Sequence, residues 1–295
     1  MDTTAHVSLD LATPESVVAA LDEHVDMWSH AEVVAIGWTA RTVHELHVVA
    51  HGLVRLLVGR LGFRSVLIEG DREVCRKLDG LVRNRTDDLQ RTLAGARPFL
   101  ATVEMLDVLR WLQRWNDGNG AERARIVHGG QDDLSSPLAL ERSLANQVLL
   151  WHDRLGHRII YLGGAYHTAA AGRTMAAATS DPLPSAGSLL RDALGDRYLS
   201  VGLTFGSGTI PQPVPSPAPG TLEADLDALG RPTVLVQLRS LLDARTSIVR
   251  PDRVRIVGPD YKPDNDASHS MVGDPAQWFD FVIHQQIGTP TTFLT

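Results

Sequence analysis

Apolar residues fall into two alternating kinds of segment along this chain. Short unbroken runs, rich in β-branched residues, stop at glycine or at a charge. They include Val33-Val34-Ala35-Ile36 before Gly37, Val66-Leu67-Ile68 before Glu69, Ile126-Val127 before His128, and Ile159-Ile160-Tyr161-Leu162 before Gly163. Similar runs lie at 198–204, 233–239, 254–258 and 278–283. Runs of this length read as strands buried on both faces of a parallel sheet. The longer stretches between them repeat apolar residues every three or four positions, as Met105, Val108, Leu109 and Leu112 do. That is the spacing of one buried helix face. The alternation predicts an α/β fold: a mostly parallel central sheet flanked by helices, with ligands held beyond the carboxyl ends of the strands.

Helix ends are marked as well. Thr13-Pro14-Glu15-Ser16 sets a capping residue before a proline at the first helical position, and starts a helix expected to run to about His30. A second helix covers 43–61 and closes at Gly62. Others are expected at 71–81, 89–94, 101–115, 138–155, 188–194 and 221–229. Residues 1–12 are polar and expected to be mobile, 84–88 read as a turn, and the prolines of 211–219 as an extended loop. Phe205-Gly206-Ser207-Gly208-Thr209 reads as a glycine-rich loop after a strand, without the lysine or spacing of a nucleotide site. The domain plan is an N-terminal segment and helix at 1–30, then a single α/β domain at 31–295.

Composition narrows the function classes. At 295 residues, with 43% apolar and 21% charged, the chain can bury a full core. A net charge of −7 argues against binding nucleic acid or an anionic membrane by charge alone. The single cysteine, Cys75, excludes an intrachain disulfide and a cysteine-based zinc site. No basic-then-apolar leader opens the sequence, and no apolar run approaches about 18 residues, so a cytoplasmic protein acting on a small molecule is the expected class.

The candidate chemistry collects at strand ends. Trp38, Arg41 and His44 follow the first strand, Glu69 and Asp71 the second, Asp132 the third, and Gly163, Gly164, Tyr166 and His167 the fourth. Asp132 reads equally as a cleft carboxylate or a helix cap. His167 reads as a cleft residue or as a packed one. Gly163-Gly164 lets backbone approach a ligand closely and leaves room for it. His44, His47 and His51 lie near one helix face. A metal face is one reading and separate packed or solvated histidines the other, and the glutamate of the common zinc motif is absent. No metal and no cofactor is expected. Trp111 and Trp115 read as packing residues.

The ordered set Ile36-Gly37, His44-Glu45, His51, Arg55, Leu61-Gly62-Phe63, Ile68-Glu69, Gly130-x-Asp132, His167, Phe205 to Thr209 and Phe279-Asp280 resembles the erythromycin esterase family over about residues 30–290. The resemblance implies that family's sheet and a metal-independent hydrolysis, run by a Glu and His from the first strand end, a Glu from the second and a His from the fourth. Here Trp38 stands for that first Glu, Arg41 for that His, and Gln237 for an Asp of the sixth strand, while Glu69 is retained. His167 lies near the fourth-strand His, and Gly163 or Gly164 replaces its companion. Arginine is no general base near neutrality, so the family's activation of water cannot run unchanged. Glu69, His167, His44 and Arg41 remain as expected catalytic residues, with Trp38, Asp71, Asp132, Gly163, Gly164 and Tyr166 around the substrate. A long helical insertion of the family is absent, which leaves an open cleft or one completed by a second copy of the chain. Three functions stay open. One is a cofactor-independent acid–base enzyme of specialised metabolism, of lyase, cyclase, isomerase or hydrolytic type. The others are a non-catalytic binding protein with Trp38 plugging the cleft, and an ester or lactone hydrolase with a relocated base.

Overall fold

The computed structural model describes residues 6–8, 12–84, 88–130, 135–176, 182–238 and 251–295. In chain order the first half comprises β1 (His6–Ser8), α1 (Pro14–Leu21), β2 (Val33–Trp38), α2 (His44–Leu61), β3 (Ser65–Ile68), α3 (Arg72–Asn84), α4 (Leu89–Ala94), α5 (Val103–Gly118) and β4 (Arg125–His128). Then come α6 (Pro137–Leu155), β5 (Ile159–Gly164), α7 (Ala165–Thr168), β6 (Thr174–Met175), α8 (Ala186–Leu194), β7 (Tyr198–Ile210) and β8 (Gln212–Val214). The chain finishes with α9 (Leu222–Asp227), β9 (Thr233–Gln237), β10 (Arg253–Arg255), β11 (Ser270–Val272), α10 (Pro275–Trp278) and β12 (Phe281–Gly288).

The main sheet has the order β1-β9-β12-β7-β2-β5-β3-β4, with β8 folded back on β7. From β12 to β4 every neighbouring pair is parallel, whereas β9 and β1 are antiparallel additions at one edge. A small antiparallel sheet, β10-β11-β6, lies apart from it. Strand order departs from β2 both ways, towards β5, β3 and β4 on one side and β7 and β12 on the other. The carboxyl end of β2 is therefore the switch point, where such sheets open a crevice.

Both faces are covered, which is why the strands read as unbroken apolar runs. Val34, Ile36 and Trp38 pack towards α1, α2 and α5; Val33 and Ala35, one residue out of step, pack towards α6 and α8. Removing each valine or isoleucine side chain from water contributes about 1.5–3 kcal/mol. Thr13 caps α1 as expected, exchanging hydrogen bonds with Ser16, and Gly62 closes α2 at φ 72°. No helix among the described residues is long and apolar enough to cross a membrane.

Several expected boundaries shift. The first helix stops at Leu21 and tightens into a 3-10 segment, Asp22–Trp28, that drives Trp28 edge-on against Phe281. Within the N-terminal stretch expected to be mobile, His6–Ser8 pairs with β9. The last strand begins at Phe281, because Trp278 closes α10. Phe205 to Thr209 is not a loop. It continues β7, alongside β12 as far as Gly288 and β8 as far as Val214. Pairing with two neighbours overrides the local glycine signal, and the glycines serve close backbone approach. Gly208 sits at φ 154°, and a Cβ on it would lie 2.0 Å from the Gly288 carbonyl oxygen. Asp132, residues 85–87 of the expected turn and residue 239 at the end of the sixth strand lie outside the described residues.

Gly208→Ala should therefore destabilise the protein by at least about 1–3 kcal/mol, since neither backbone can yield without breaking the pairing. A thermal melt with the midpoint of the wild type would contradict this packing.

Candidate active site

Beyond β2 the chain turns sharply, held by bridges from Ala40 to Val257 and from Val43 to Pro290. This turn aims Arg41 across the end of the sheet at Glu69, the residue after β3, and the two form an ion pair. Glu69 is 1% exposed. Its Oε2 takes Arg41 and its Oε1 accepts the Tyr161 hydroxyl at 2.7 Å. The Arg41 guanidinium also lies 4.2 Å from the centre of the Phe99 ring. Burial on its own would push the Glu69 carboxyl up. The Arg41 charge, the nearby His167 and the Tyr161 hydroxyl outweigh burial and hold it below the usual glutamate value.

Gly163 is part of this arrangement. A Cβ there would meet Glu69 Oε1 at 2.5 Å and the Tyr161 ring at 2.9 Å. The space it leaves is filled by the protein's own carboxylate, which corrects the expectation that Gly163 makes room for a ligand. Gly164 does face the cleft. A Cβ there would meet Arg41 Nη2 at 3.0 Å and His167 Cδ2 at 3.5 Å, so the guanidinium and the imidazole flank one point.

His167 sits on the one-turn helix α7 that follows β5. Its Nδ1 is 2.8 Å from Glu141 Oε1. Arg173 donates to the same oxygen, and the Ala186 amide donates to Oε2 at 2.8 Å. Arg173 in turn lies 3.5 Å from the centre of the Tyr166 ring and donates to the carbonyls of Tyr166, Leu183 and Pro184. An acceptor-only carboxylate at Nδ1 fixes the proton there and leaves Nε2 as the basic nitrogen. Among the described residues Nε2 has no hydrogen-bond partner.

A cavity of about 650 Å3 joins these groups. Trp38, Phe99, Tyr166, Ile210, Val257 and Phe293 give it apolar wall, Arg41 and Glu69 supply its charge, and His167 its imidazole. Trp38 is 5% exposed and stacks on His47, with ring centres 5.1 Å apart and planes 29° apart. His47 Nε2 lies 2.9 Å from the Arg41 carbonyl oxygen. Burial lowers the His47 pKa, so this imidazole stays neutral and braces both Trp38 and the Arg41 turn.

The other candidates lie elsewhere. His44 does not line this cavity: its Nδ1 is 2.8 Å from Glu104 Oε1, a bond that raises its pKa, and its side chain is 46% exposed. Asp71 does not line it either, being 57% exposed and facing Arg97. His51 accepts from Arg55, and burial drops its pKa to about 3. The three histidines of α2 therefore take separate partners, and no group of three or more metal-ligating side chains gathers among the described residues. Four contributors went unread in the sequence: Tyr161, Glu141, Arg173 and Phe99. Only Glu141 carries a signal, since it falls on the buried stripe of α6 with Leu144, Ala145 and Val148. A carboxylate on an apolar stripe needs a partner.

An ion-paired carboxylate and guanidinium beside an imidazole, at the switch point of a parallel sheet, defines an α/β protein with an acid–base cleft. The profile of the erythromycin esterase family matches residues 122–286, more than half of the sequence, and the chain belongs to that family. The match includes His167 and Glu141 and begins after the strands that lead to Arg41 and Glu69. Among solved structures, a Bacillus cereus protein is similar at TM-score 0.80 and 14% identity, covering 98% of this chain and 97% of its own. A succinoglycan biosynthesis protein is similar at 0.79 and 13%, covering 98% and 96%. A histidine-to-asparagine mutant of the erythromycin esterase EreC, in its open conformation, is similar at 0.71 and 12%, covering 98% and 99%. Identities this low speak for the shared fold. No curated protein sequence matches the chain.

Two outcomes follow from the buried charges. Glu141→Ala strands Arg173 without its countercharge and should cost about 3–5 kcal/mol in chemical denaturation; a loss under about 1 kcal/mol would contradict the buried pairing. Glu69 has a folded pKa below its ordinary 4.5, so its contribution is complete above that value and is lost as pH falls through the folded value. The stability gap between wild type and Glu69→Gln should therefore narrow on acidification, and a gap that widens would contradict the assignment.

Proposed function

We propose that the chain is a cofactor-independent ester or lactone hydrolase for an apolar small molecule, with its base relocated to His167. The observation that carries this reading is the Glu141–His167 pair, which presents an imidazole to the same point as the Arg41 guanidinium inside an apolar cavity. His167 Nε2 takes a proton from water as its oxygen bonds to the acyl carbon. Arg41 stabilises the oxyanion that forms on the carbonyl oxygen. Glu141 steadies the imidazolium, as a buried carboxylate does in a Ser-His-Asp triad. The imidazolium then protonates the departing alkoxide, leaving an acid and an alcohol. Glu69, with both oxygens engaged, is a positioning residue for Arg41 and not a nucleophile.

A second reading keeps the same base and cation and changes the proton taken. Trp38, Phe99 and Phe293 wall the cavity with apolar surface, which disfavours water as a reactant. Abstraction of a carbon-bound proton, as in a lyase, cyclase or isomerase, would then use Arg41 for the enolate oxygen.

Turnover of p-nitrophenyl esters and aromatic lactones tests the proposal. His167→Ala should lower kcat by about a hundred- to ten-thousand-fold, and Arg41→Met by about a hundred- to a thousand-fold. Full activity in His167→Ala removes the proposal. Label from 18O-water in the product acid favours hydrolysis; conversion of a lactone without label favours the second reading.

A further inference from the structure

The amino ends of β3, β4 and β5, at the edge of the sheet opposite the cleft, border a polar groove of about 500 Å3. Arg64, Arg83, Arg123, Arg125 and His157 line it, together with Glu122. Two of the arginines are spoken for. Arg64 donates to Glu122 at 3.0 and 2.7 Å, and Arg125 to Asp79 at 2.9 Å. Arg83 and Arg123 have no carboxylate partner among the described residues. The Nε of Arg83 and the Nε of Arg125 are both buried with no acceptor. A buried guanidinium N–H that finds no acceptor among the described residues is open to one brought by a bound molecule.

The groove is also a positive island on a chain of net charge −7. Four guanidinium groups face two carboxylates, Glu122 and Asp79. Burial, then the charges of Arg125 and Arg64, hold the His157 imidazole below its ordinary pKa. Its Nδ1 shares a hydrogen bond of 3.0 Å with Ser65 Oγ, which anchors the ring at the groove.

We propose that this groove binds a small diphosphate anion. Guanidinium forks match phosphoryl oxygens in geometry and charge. The two unpartnered guanidinium groups come from separate elements, the end of α3 and the turn before β4, which suits two linked phosphoryl groups better than one. The site does not share residues with the cleft, so ligand and substrate bind independently in space.

Isothermal titration of the full chain with inorganic pyrophosphate and with ADP, in magnesium-free buffer at constant ionic strength, tests this. Saturable binding is expected for wild type and equally for His167→Ala. The Arg83→Gln/Arg123→Gln variant should bind at least about tenfold more weakly, as expected for lost charge-assisted contacts, with ester turnover unchanged. Tighter binding of ADP assigns the diphosphate to an organic ester, and equal binding assigns it to the inorganic anion. No saturable heat at millimolar ligand, the same affinity in the double variant, or loss of binding in Arg41→Met would overturn the proposal.

Discussion

A carboxylate buried at the end of a parallel strand is the constraint on which the rest of this structure depends. Glu69 is almost wholly buried, and such a charge is tolerated only when it is paired and hydrogen-bonded. Arg41 and Tyr161 meet that demand, one on each oxygen. The consequences spread outward. Tyr161 must lie on the face of β5 opposite its apolar neighbours Ile160 and Leu162. Gly163 must carry no side chain. The turn after β2 must deliver Arg41 to the sheet edge, and neutral His47 beneath it holds that turn by its carbonyl.

The second buried pair answers the first across the cleft. Glu141 fixes one nitrogen of His167 and is itself neutralised by Arg173. The two networks thus hold opposite charges in fixed places, with little side-chain ordering left for the moment of reaction. Between them lies a cavity whose walls are mostly aromatic and aliphatic. At the first strand end the buried carboxylate of Glu69 takes the Arg41 guanidinium as its partner. That partner is permanently charged near neutrality.

Much of this was legible along the chain, and the reasons for the rest are specific. Strands buried on both faces announce themselves as apolar runs, and a charge that ends such a run, as Glu69 does, falls at the crevice. Arg41 and His167 follow strand ends in the same way. Tyr161 was hidden because a tyrosine inside an apolar run looks like core. Arg173 was hidden because its segment has no periodicity, and its partner Glu141 lies 32 residues away. His44 and Asp71 misled because a position near a strand end does not fix direction: Glu104 and the surface respectively claim their side chains. The glycines after Phe205 misled because pairing with two strands, which is non-local, decides their conformation.

The central claim is that Arg41 and His167 act on one acyl group, Arg41 on its carbonyl oxygen and His167 on the attacking and departing oxygens. A crystal structure with an aryl phosphonate, whose oxygens mimic the oxyanion of ester hydrolysis, tests it most directly. The account predicts one phosphonyl oxygen within hydrogen-bond reach of the Arg41 guanidinium and a second within reach of His167 Nε2, with Glu69 still on Tyr161 and the aryl group against Trp38 and Phe99. A phosphonate bound away from His167, or an Arg41 that abandons Glu69 and leaves the cavity, would contradict it.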